Sequence, residues 1–279
     1  MTWQPELDEL KKRQTLALEM GGPEKVARHK ANGKLTVRER IAALCDAGSF
    51  REIGSVSGFA AYDADNALTS FTPTNQIIGR GSIDARTVAV SADDFTVRGG
   101  ANDGGVREKL VYVEKMANQL RLPVVHLVDI PGFVIGVAAE QAATIRYGAR
   151  AMAAIYQATV PWCSILVRRA FGVAGAAHQS TGRFNIRYAW HSGEWGSLPI
   201  AGGLEAAYKA ELERAPDPAA KLAEIETRLK QYTSPFRTAE QFLVEEIIDP
   251  RATRGLLCEF ANLAAPLRVA GASGFGMRP

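Results

Sequence analysis

From Leu122 to His178 the chain reads LPVVHLVDIPGFVIGVAAEQAATIRYGARAMAAIYQATVPWCSILVRRAFGVAGAAH. Two runs in it, Leu122 to Val128 and Trp162 to Val167, are almost continuously apolar and β-branched, as strands covered on both faces tend to be. Each ends at glycine: the first at Asp129-Ile130-Pro131-Gly132-Phe133, the second, after Arg168-Arg169, at Phe171-Gly172-Val173-Ala174-Gly175-Ala176-Ala177. Proline removes a backbone donor and glycine permits unusual φ/ψ, so the chain can leave a sheet sharply there and point free amides into a cleft. The small residues after Gly172 suit a helix start, whose unpaired N–H groups carry partial positive charge. Paired turns of this kind fit two readings, tight packing and backbone oxyanion holes.

The remaining pattern places this segment in an α/β domain. Residues 7–44 read as helical, broken at Gly21-Gly22-Pro23, with Thr36 and Glu39 spaced as a capping box and a last helix ending at Asp46-Ala47-Gly48. They form an arm on the domain or on a neighbour. Strand character follows over Gly54 to Tyr62, Thr74 to Arg80 and Ser82 to Asp93, with a hairpin turn at Asp84-Ala85-Arg86. Arg107 to Leu120 is an amphipathic helix, Phe184 to Trp190 a strand, Gly193 to Gly203 a glycine-rich surface, and Gly203 to Leu229, Thr238 to Glu246 and Thr253 to Leu263 are helical. The expected division is a single domain: arm 1–49, core 50–203, C-terminal helices 204–265 and tail 266–279. Alternating strands and helices make a parallel sheet with crossovers the economical architecture.

Several chemistries lose support. No GxSxG elbow is present, and neither GxGxxG nor GxxxxGK[ST] occurs. The histidines His29, His126, His178 and His191 lack metal spacing, so no metal site is expected. His126 reads as a hydrogen-bonded core residue and His178 as a candidate to face the cleft. Glu140 reads as a solvated helix residue. Cys45, Cys163 and Cys258 lie far apart, which argues against a disulfide framework and for a reducing, cytoplasmic setting. Net charge is +3, with basic residues scattered, which disfavours nucleic acid but suits an anionic small molecule. No run approaches a membrane span.

A family resemblance is carried by Leu127-Val128-Asp129-Ile130-Pro131-Gly132-Phe133, Ile145-Arg146-Tyr147-Gly148-Ala149, Ala158-Thr159-Val160-Pro161 and Arg168-Arg169-Ala170-Phe171-Gly172. Gly33-Lys34-Leu35-Thr36-Val37-Arg38-Glu39-Arg40-Ile41 and Asp94-Phe95-Thr96-Val97-Arg98-Gly99-Gly100 add to it. These residues closely resemble the carboxyltransferase (β) subunit of biotin-dependent acyl-CoA carboxylases, of the propionyl-CoA carboxylase β type. The resemblance implies a crotonase-like ββα spiral and transfer of a carboxyl group from carboxybiotin, held on a carrier protein, to the α-carbon of an acyl-CoA through oxyanion-stabilised enolates. It implies a biotin carboxylase and biotin carrier subunit as partners, and a homo-oligomer from dimer to hexamer. Residues to about Leu120 resemble the family's N domain and residues after about Leu122 its C domain, so the chain reads as one hybrid spiral with a seam there. By the resemblance, the amides of Val173 and Ala174 after Gly172 hold the biotin ureido oxygen, while Gly132, Phe133, Phe171, Ala176, Phe95, Gly99 and Gly100 line the substrate site. An aspartate that helps the family select short acyl chains would align with Ala176, which implies a roomier pocket. Two other readings stay open: a stand-alone crotonase-type CoA hydratase or decarboxylase, and an inactive remnant.

Overall fold

A computed structural model describes residues 2–102, 106, 108–178, 182–197 and 200–268. The amino-terminal region is three helices rather than two: α1 (Gln4–Leu18), α2 (Pro23–Ala31) and α3 (Val37–Leu44). The extra break precedes α3, where Thr36 accepts from the Glu39 amide and Glu39 accepts from the Thr36 amide, the expected capping box. The last helix stops at Leu44, short of Gly48. Cys45 is extended, and the Asp46 amide bonds the Ser82 carbonyl at 2.7 Å instead of continuing the helix.

Strands follow as β1 (Arg51–Ile53), β2 (Gly58–Tyr62), β3 (Leu68–Pro73), β4 (Gln76–Ile83) and β5 (Arg86–Asp93). β3 has no counterpart in the sequence reading; it pairs only with β2, in a separate two-stranded sheet. Next come α4 (Lys109–Leu120), β6 (Val124–Ile130), α5 (Val137–Gln141), α6 (Thr144–Gln157), β7 (Trp162–Phe171), α7 (Val173–Ala177) and β8 (Asn185–Trp190). The crossover between the two apolar strands is two helices, α5 and α6, separated where Ala143 takes a left-handed conformation (φ 57°).

Two further departures lie near the C-terminus. Within the expected glycine-rich surface, β9 (Glu194–Gly196) pairs in parallel with the end of β7, and α8 (Ile200–Ala207) begins. α9 (Lys209–Arg214) and α10 (Pro218–Lys230) complete that helical stretch. The helix expected over Thr238 to Glu246 is α11 (Pro235–Glu240), followed by a strand, β10 (Glu246–Ile248), whose β-branched isoleucines pair with Ala189 and Trp190. α12 (Thr253–Ala264) and a short 3-10 turn, Ala265–Leu267, close the described chain. The expected tail, 266–279, lies outside the described residues from Val269 onward.

The main sheet runs β1-β4-β5-β6-β7-β8-β10, antiparallel up to β5 and parallel from β5 onward. β6 is buried at all seven positions, as a strand covered on both faces must be. Val125 and Leu127 face a core closed by Val37 and Ile41 of α3 and by Leu257, Phe260 and Ala261 of α12. α3 is therefore a core helix and not part of a peripheral arm, whereas α1 rests on β3 through Ala17, Leu68 and Phe71. Val124 faces the opposite layer, with Val113, Met116 and Ala117 of α4 and Ile155 of α6. Burying a valine or leucine contributes about 1.5–3 kcal/mol, so these two layers fix the sheet's register.

The α4 side of the sheet also buries polar groups. His126 is 2% exposed, but neither ring nitrogen has a hydrogen-bond partner among the described residues; the Asp93 carboxylate lies 3.5 Å from Nε2. The expectation of a hydrogen-bonded core histidine is thus half met. His178 is equally buried, bonded to Ser164 Oγ at 3.1 Å and edge-on to His126, so it faces the core and not a cleft. Burial holds its pKa well below the usual value.

Glu114 of α4 is 2% exposed with Oε2 unpartnered. Burial pushes its carboxyl up to about 7, opposed by the nearby charges of His126 and Arg183. A raised carboxyl pKa means the folded state holds the proton more tightly, so this group's contribution to stability is lost as pH rises from its ordinary 4.5 to about 7. Glu114→Gln should therefore be more stable than the parent by up to about 3 kcal/mol at pH 8, the gain shrinking toward zero near pH 4. Denaturant midpoints across that range measure it, and a gain independent of pH would contradict the assignment.

Candidate active site

The two glycine turns leave the sheet side by side. β6 and β7 are parallel neighbours paired as far as Ile130 with Ala170, so the strand ends stand roughly 4.8 Å apart. After β7, Gly172 adopts φ 60°, ψ −127°, a conformation glycine reaches without cost, and α7 starts at Val173. The Gly172 amide is anchored to the Gly196 carbonyl of β9 at 2.8 Å. The next two amides, of Val173 and Ala174, belong to the first turn of a helix and have no carbonyl four residues back to bond. Among the described residues, a Cβ on Gly172 would meet only the Ser197 carbonyl, at 3.5 Å.

The turn after β6 is held from two sides. Asn102 bridges it in parallel, its amide donating to the Gly132 carbonyl at 3.1 Å and its carbonyl accepting from the Val134 amide at 2.9 Å. The tip of the Phe133 ring packs against α6 at Gly148, where a Cβ would stand 2.0 Å from the ring. Gly132 itself adopts φ 126°, and no described residue lies within 4 Å of where its Cβ would stand.

Behind these turns lies a charge cluster. Asp129, 1% exposed, is gripped by Arg168 through Nε (3.2 Å) and Nη2 (2.8 Å), with Arg40 Nη1 3.9 Å away. The Arg168 guanidinium stacks 3.7 Å from the centre of the Phe95 ring, and Arg169 sits 5.1 Å from it. A cleft of about 220 Å³ opens beside this stack, lined by Lys25 and Arg28 of α2, by Lys34, by Phe95 and Gly99, and by Arg168. Burial lowers the Lys34 pKa, and Arg168 adds to the effect, partly offset by Asp129. His29, at the cleft's edge, is turned to the Leu35 carbonyl (3.1 Å) and its pKa is lowered by burial.

Of the residues singled out from sequence, Gly132, Phe133, Gly172, Val173 and Ala174 fall on the paired turns, and Phe95 and Gly99 on the adjoining cleft. Gly100 does not line that cleft. Its φ of +81° presses it against the Asp129 carbonyl, where a Cβ would come within 2.6 Å. The Phe171 ring is 1% exposed and packs inward. Ala176 offers its carbonyl to the Tyr156 hydroxyl at 2.5 Å. Glu140 is exposed on α5. Lys25 and Arg28 of α2, and Lys34 in the connection to α3, escaped the sequence reading because they lie in a segment that looked like a peripheral arm; Lys25 and Arg28, three apart in one helix, were the available signal. Among the described residues, no three His, Cys, Asp or Glu side chains converge as a metal site, and no helix is long and apolar enough to cross a membrane.

This parallel-sheet core, with backbone turns at its strand ends, is a crotonase-like α/β fold of the carboxyltransferase kind. The chain belongs to the carboxyl transferase domain family, whose profile matches residues 28–125 and 113–270. It is 30% identical over 235 residues to the methylmalonyl-CoA carboxyltransferase 12S subunit of Propionibacterium freudenreichii subsp. shermanii, covering 83% of this chain and 42% of that one. It is likewise 30% identical over 236 residues to the propionyl-CoA carboxylase beta chain of Cereibacter sphaeroides, covering 83% and 42%. The crystal structure of the transcarboxylase 12S hexamer, with methylmalonyl-coenzyme A and methylmalonic acid bound, superposes with a TM-score of 0.68 at 28% identity, covering 88% of this chain and 46% of that one. The chain thus spans less than half the length of these relatives.

The seating of Phe133 on Gly148 is testable by a double-mutant cycle. Gly148→Ala should destabilise the fold by about 1–3 kcal/mol, and most of that penalty should vanish in a Phe133→Ala background. A penalty equal in both backgrounds would show that the two residues do not share this contact.

Proposed function

We propose that the chain is a carboxyltransferase component of an acyl-CoA carboxylase, moving a carboxyl group from carboxybiotin to the α-carbon of an acyl-CoA. The observation that carries this reading is the adjacency of two open backbone turns to a basic, aromatic-floored cleft at one end of the sheet. From Arg168, on the cleft wall, to Val173 is five residues, at most roughly 18 Å of chain. An extended anionic thioester can therefore rest its phosphates among Lys25, Arg28, Lys34 and Arg168 while its acyl end reaches the turns. The relatives named for methylmalonyl-CoA and propionyl-CoA chemistry favour the same substrate class.

Carboxybiotin, delivered on a carrier protein, supplies the activated carboxyl group. The amides of Val173 and Ala174 donate to the oxygen on which negative charge collects during transfer, and fixed donors of this kind need no reorganisation. Valine at 173 costs nothing here, since only the backbone is used. Gly132 and Phe133 supply a second pair of amides, with no acceptor among the described residues, aimed at the thioester oxygen. The buried Phe171 ring closes the floor against water. The same reading assigns a biotin carboxylase and carrier subunit as partners and a homo-oligomer of two to six copies. Three free cysteines, two of them buried, favour a cytoplasmic setting.

We also read the chain as one hybrid spiral: an amino-terminal helical segment to residue 49, whose last helix α3 packs into the core, core to 203, C-terminal helices to 265. The two family matches overlap at residues 113–125, where the seam near Leu122 was expected.

Incubating the purified chain with a malonyl-type CoA, free biotin and acyl-CoA should give biotin-dependent carboxyl exchange. Biotin-independent turnover would favour a stand-alone CoA enzyme instead, and no turnover by a folded chain an inactive remnant. Val173→Pro, which deletes one amide at the helix position most tolerant of proline, should slow exchange about 10²–10³-fold with CoA affinity within about twofold. Separately, Lys25→Ala and Lys34→Ala should each weaken CoA binding about fivefold by calorimetry, equivalent to roughly 1 kcal/mol per exposed charge. Unchanged affinity would remove the cleft from the substrate site.

A further inference from the structure

We infer that Asn75, braced through Thr74 by the buried Lys109, is a positioning residue that holds the Gly132–Phe133 turn open. Asn75 is 7% exposed and spends both side-chain N–H groups on the loop beside that turn: one on the Gly100 carbonyl (2.8 Å), one on Asn102 Oδ1 (2.7 Å). Because Gly100 offers a carbonyl, the amide nitrogen must face it. The Asn75 carbonyl accepts from the Asp94 amide at 2.6 Å, which ties the start of the same loop to β4. Asn102 then clamps the turn through its own backbone, to Gly132 and Val134, and Gly100 seats against Asp129 and Pro131. Every link from Asn75 to the turn is thus a hydrogen bond or a close backbone contact.

Lys109 explains why Asn75 stays put. The first residue of α4, it is 7% exposed and donates to the Gly54 carbonyl and to Thr74 Oγ1, each at 2.9 Å. Among the described residues it has no carboxylate partner: Glu52, the nearest acid by charge effect, is held by Arg38. Burial pushes the ammonium down to about 8. A buried cation without a counter-ion is costly, and an apolar residue would fill the space more cheaply. What lysine adds is a pair of directed bonds joining the β1–β2 connection to the residue before Asn75. On the carboxyltransferase reading, on which its catalytic consequence rests, this brace keeps the Gly132 and Phe133 amides aimed into the site.

Hydrogen–deuterium exchange and carboxyl exchange, measured on the full chain, separate the possibilities. Asn75→Asp, which turns a donor into an acceptor facing two oxygens, and Asn75→Ala should each speed amide exchange at least tenfold in peptides covering 99–102 and 131–136. Peptides of β6 and β7 should stay protected. Lys109→Met should do so to a smaller degree, and Lys109→Arg should restore part of the protection. In carboxyl exchange the same variants should lower kcat about tenfold with the acyl-CoA KM within twofold. Unchanged protection at 131–136 would overturn the brace, as would loss of protection across the whole sheet, which marks a purely structural role. If Asn75→Asp does not fold, Asn102→Ala tests the same clamp. Loosened turns with an unaltered kcat overturn the positioning role. If the parent chain shows no carboxyl exchange, the functional reading fails while the deuterium result still decides the brace.

Discussion

Asp129 and Arg168 form the contact on which the working end of this molecule depends. The pair joins the ends of β6 and β7 across the sheet, with the carboxylate fully enclosed and both its oxygens taken by one guanidinium. Losing either partner would strand a buried charge at a cost of about 3–5 kcal/mol. The pair also reaches beyond itself. The Asp129 amide donates to Asp93 at the end of β5, and its carbonyl leaves Gly100 no room for a side chain. Arg168, held flat by the fork, becomes the plate against which Phe95 stacks. Through its carboxylate, amide and carbonyl, Asp129 thus ties together the ends of three strands, the Gly100 loop and one cleft wall.

Much of the fold was legible because its central signals are local. Val124–Ile130 is buried at every position, and its almost continuously apolar run said so; the capping box at Thr36 and Glu39 announced α3. What was not legible depends on partners far along the chain. β9 and β10 are three residues each and exist because β7 and β8 offer them ladders. α3 looked peripheral because it continues a mostly polar helical stretch; Val37 and Ile41 become core only when α12 covers them. The site divides in the same way. Glycine marked the turns, since φ of +60° and +126° at Gly172 and Gly132 are positions a larger residue would strain. No sequence signal marked Asn75 or Lys109, whose roles consist of bonds to residues 25–55 positions away.

Charge shows the same contrast between sequence and space. A net charge of +3 spread along 279 residues suggests no strong field. Folding gathers Lys25, Arg28, Lys34 and Arg168 around one cleft, while the nearby carboxylate, Asp129, is already committed to Arg168. Lys34 consequently holds its proton less firmly than a free lysine does, from burial first and from Arg168 next. An anion placed beside Lys34 would oppose that lowering, because an opposite charge favours the ammonium form. Folding thus concentrates positive charge at one cleft, a property that no count of basic residues conveys.

The proposed reading as one hybrid spiral bears on the same economy. On that reading the working turns are the parallel pair after β6 and after β7, in one chain. Their strands are hydrogen-bonded neighbours, so the two sets of amides are fixed relative to each other by the sheet itself and not by a subunit interface. A site that needs two oxygens stabilised in succession gains from that rigidity, because the donors cost no reorganisation between the two events. The constraint moves to the loops: with the sheet fixed, only Gly132, held by Asn102, and Gly172, held by Gly196, are left to set where the amides point.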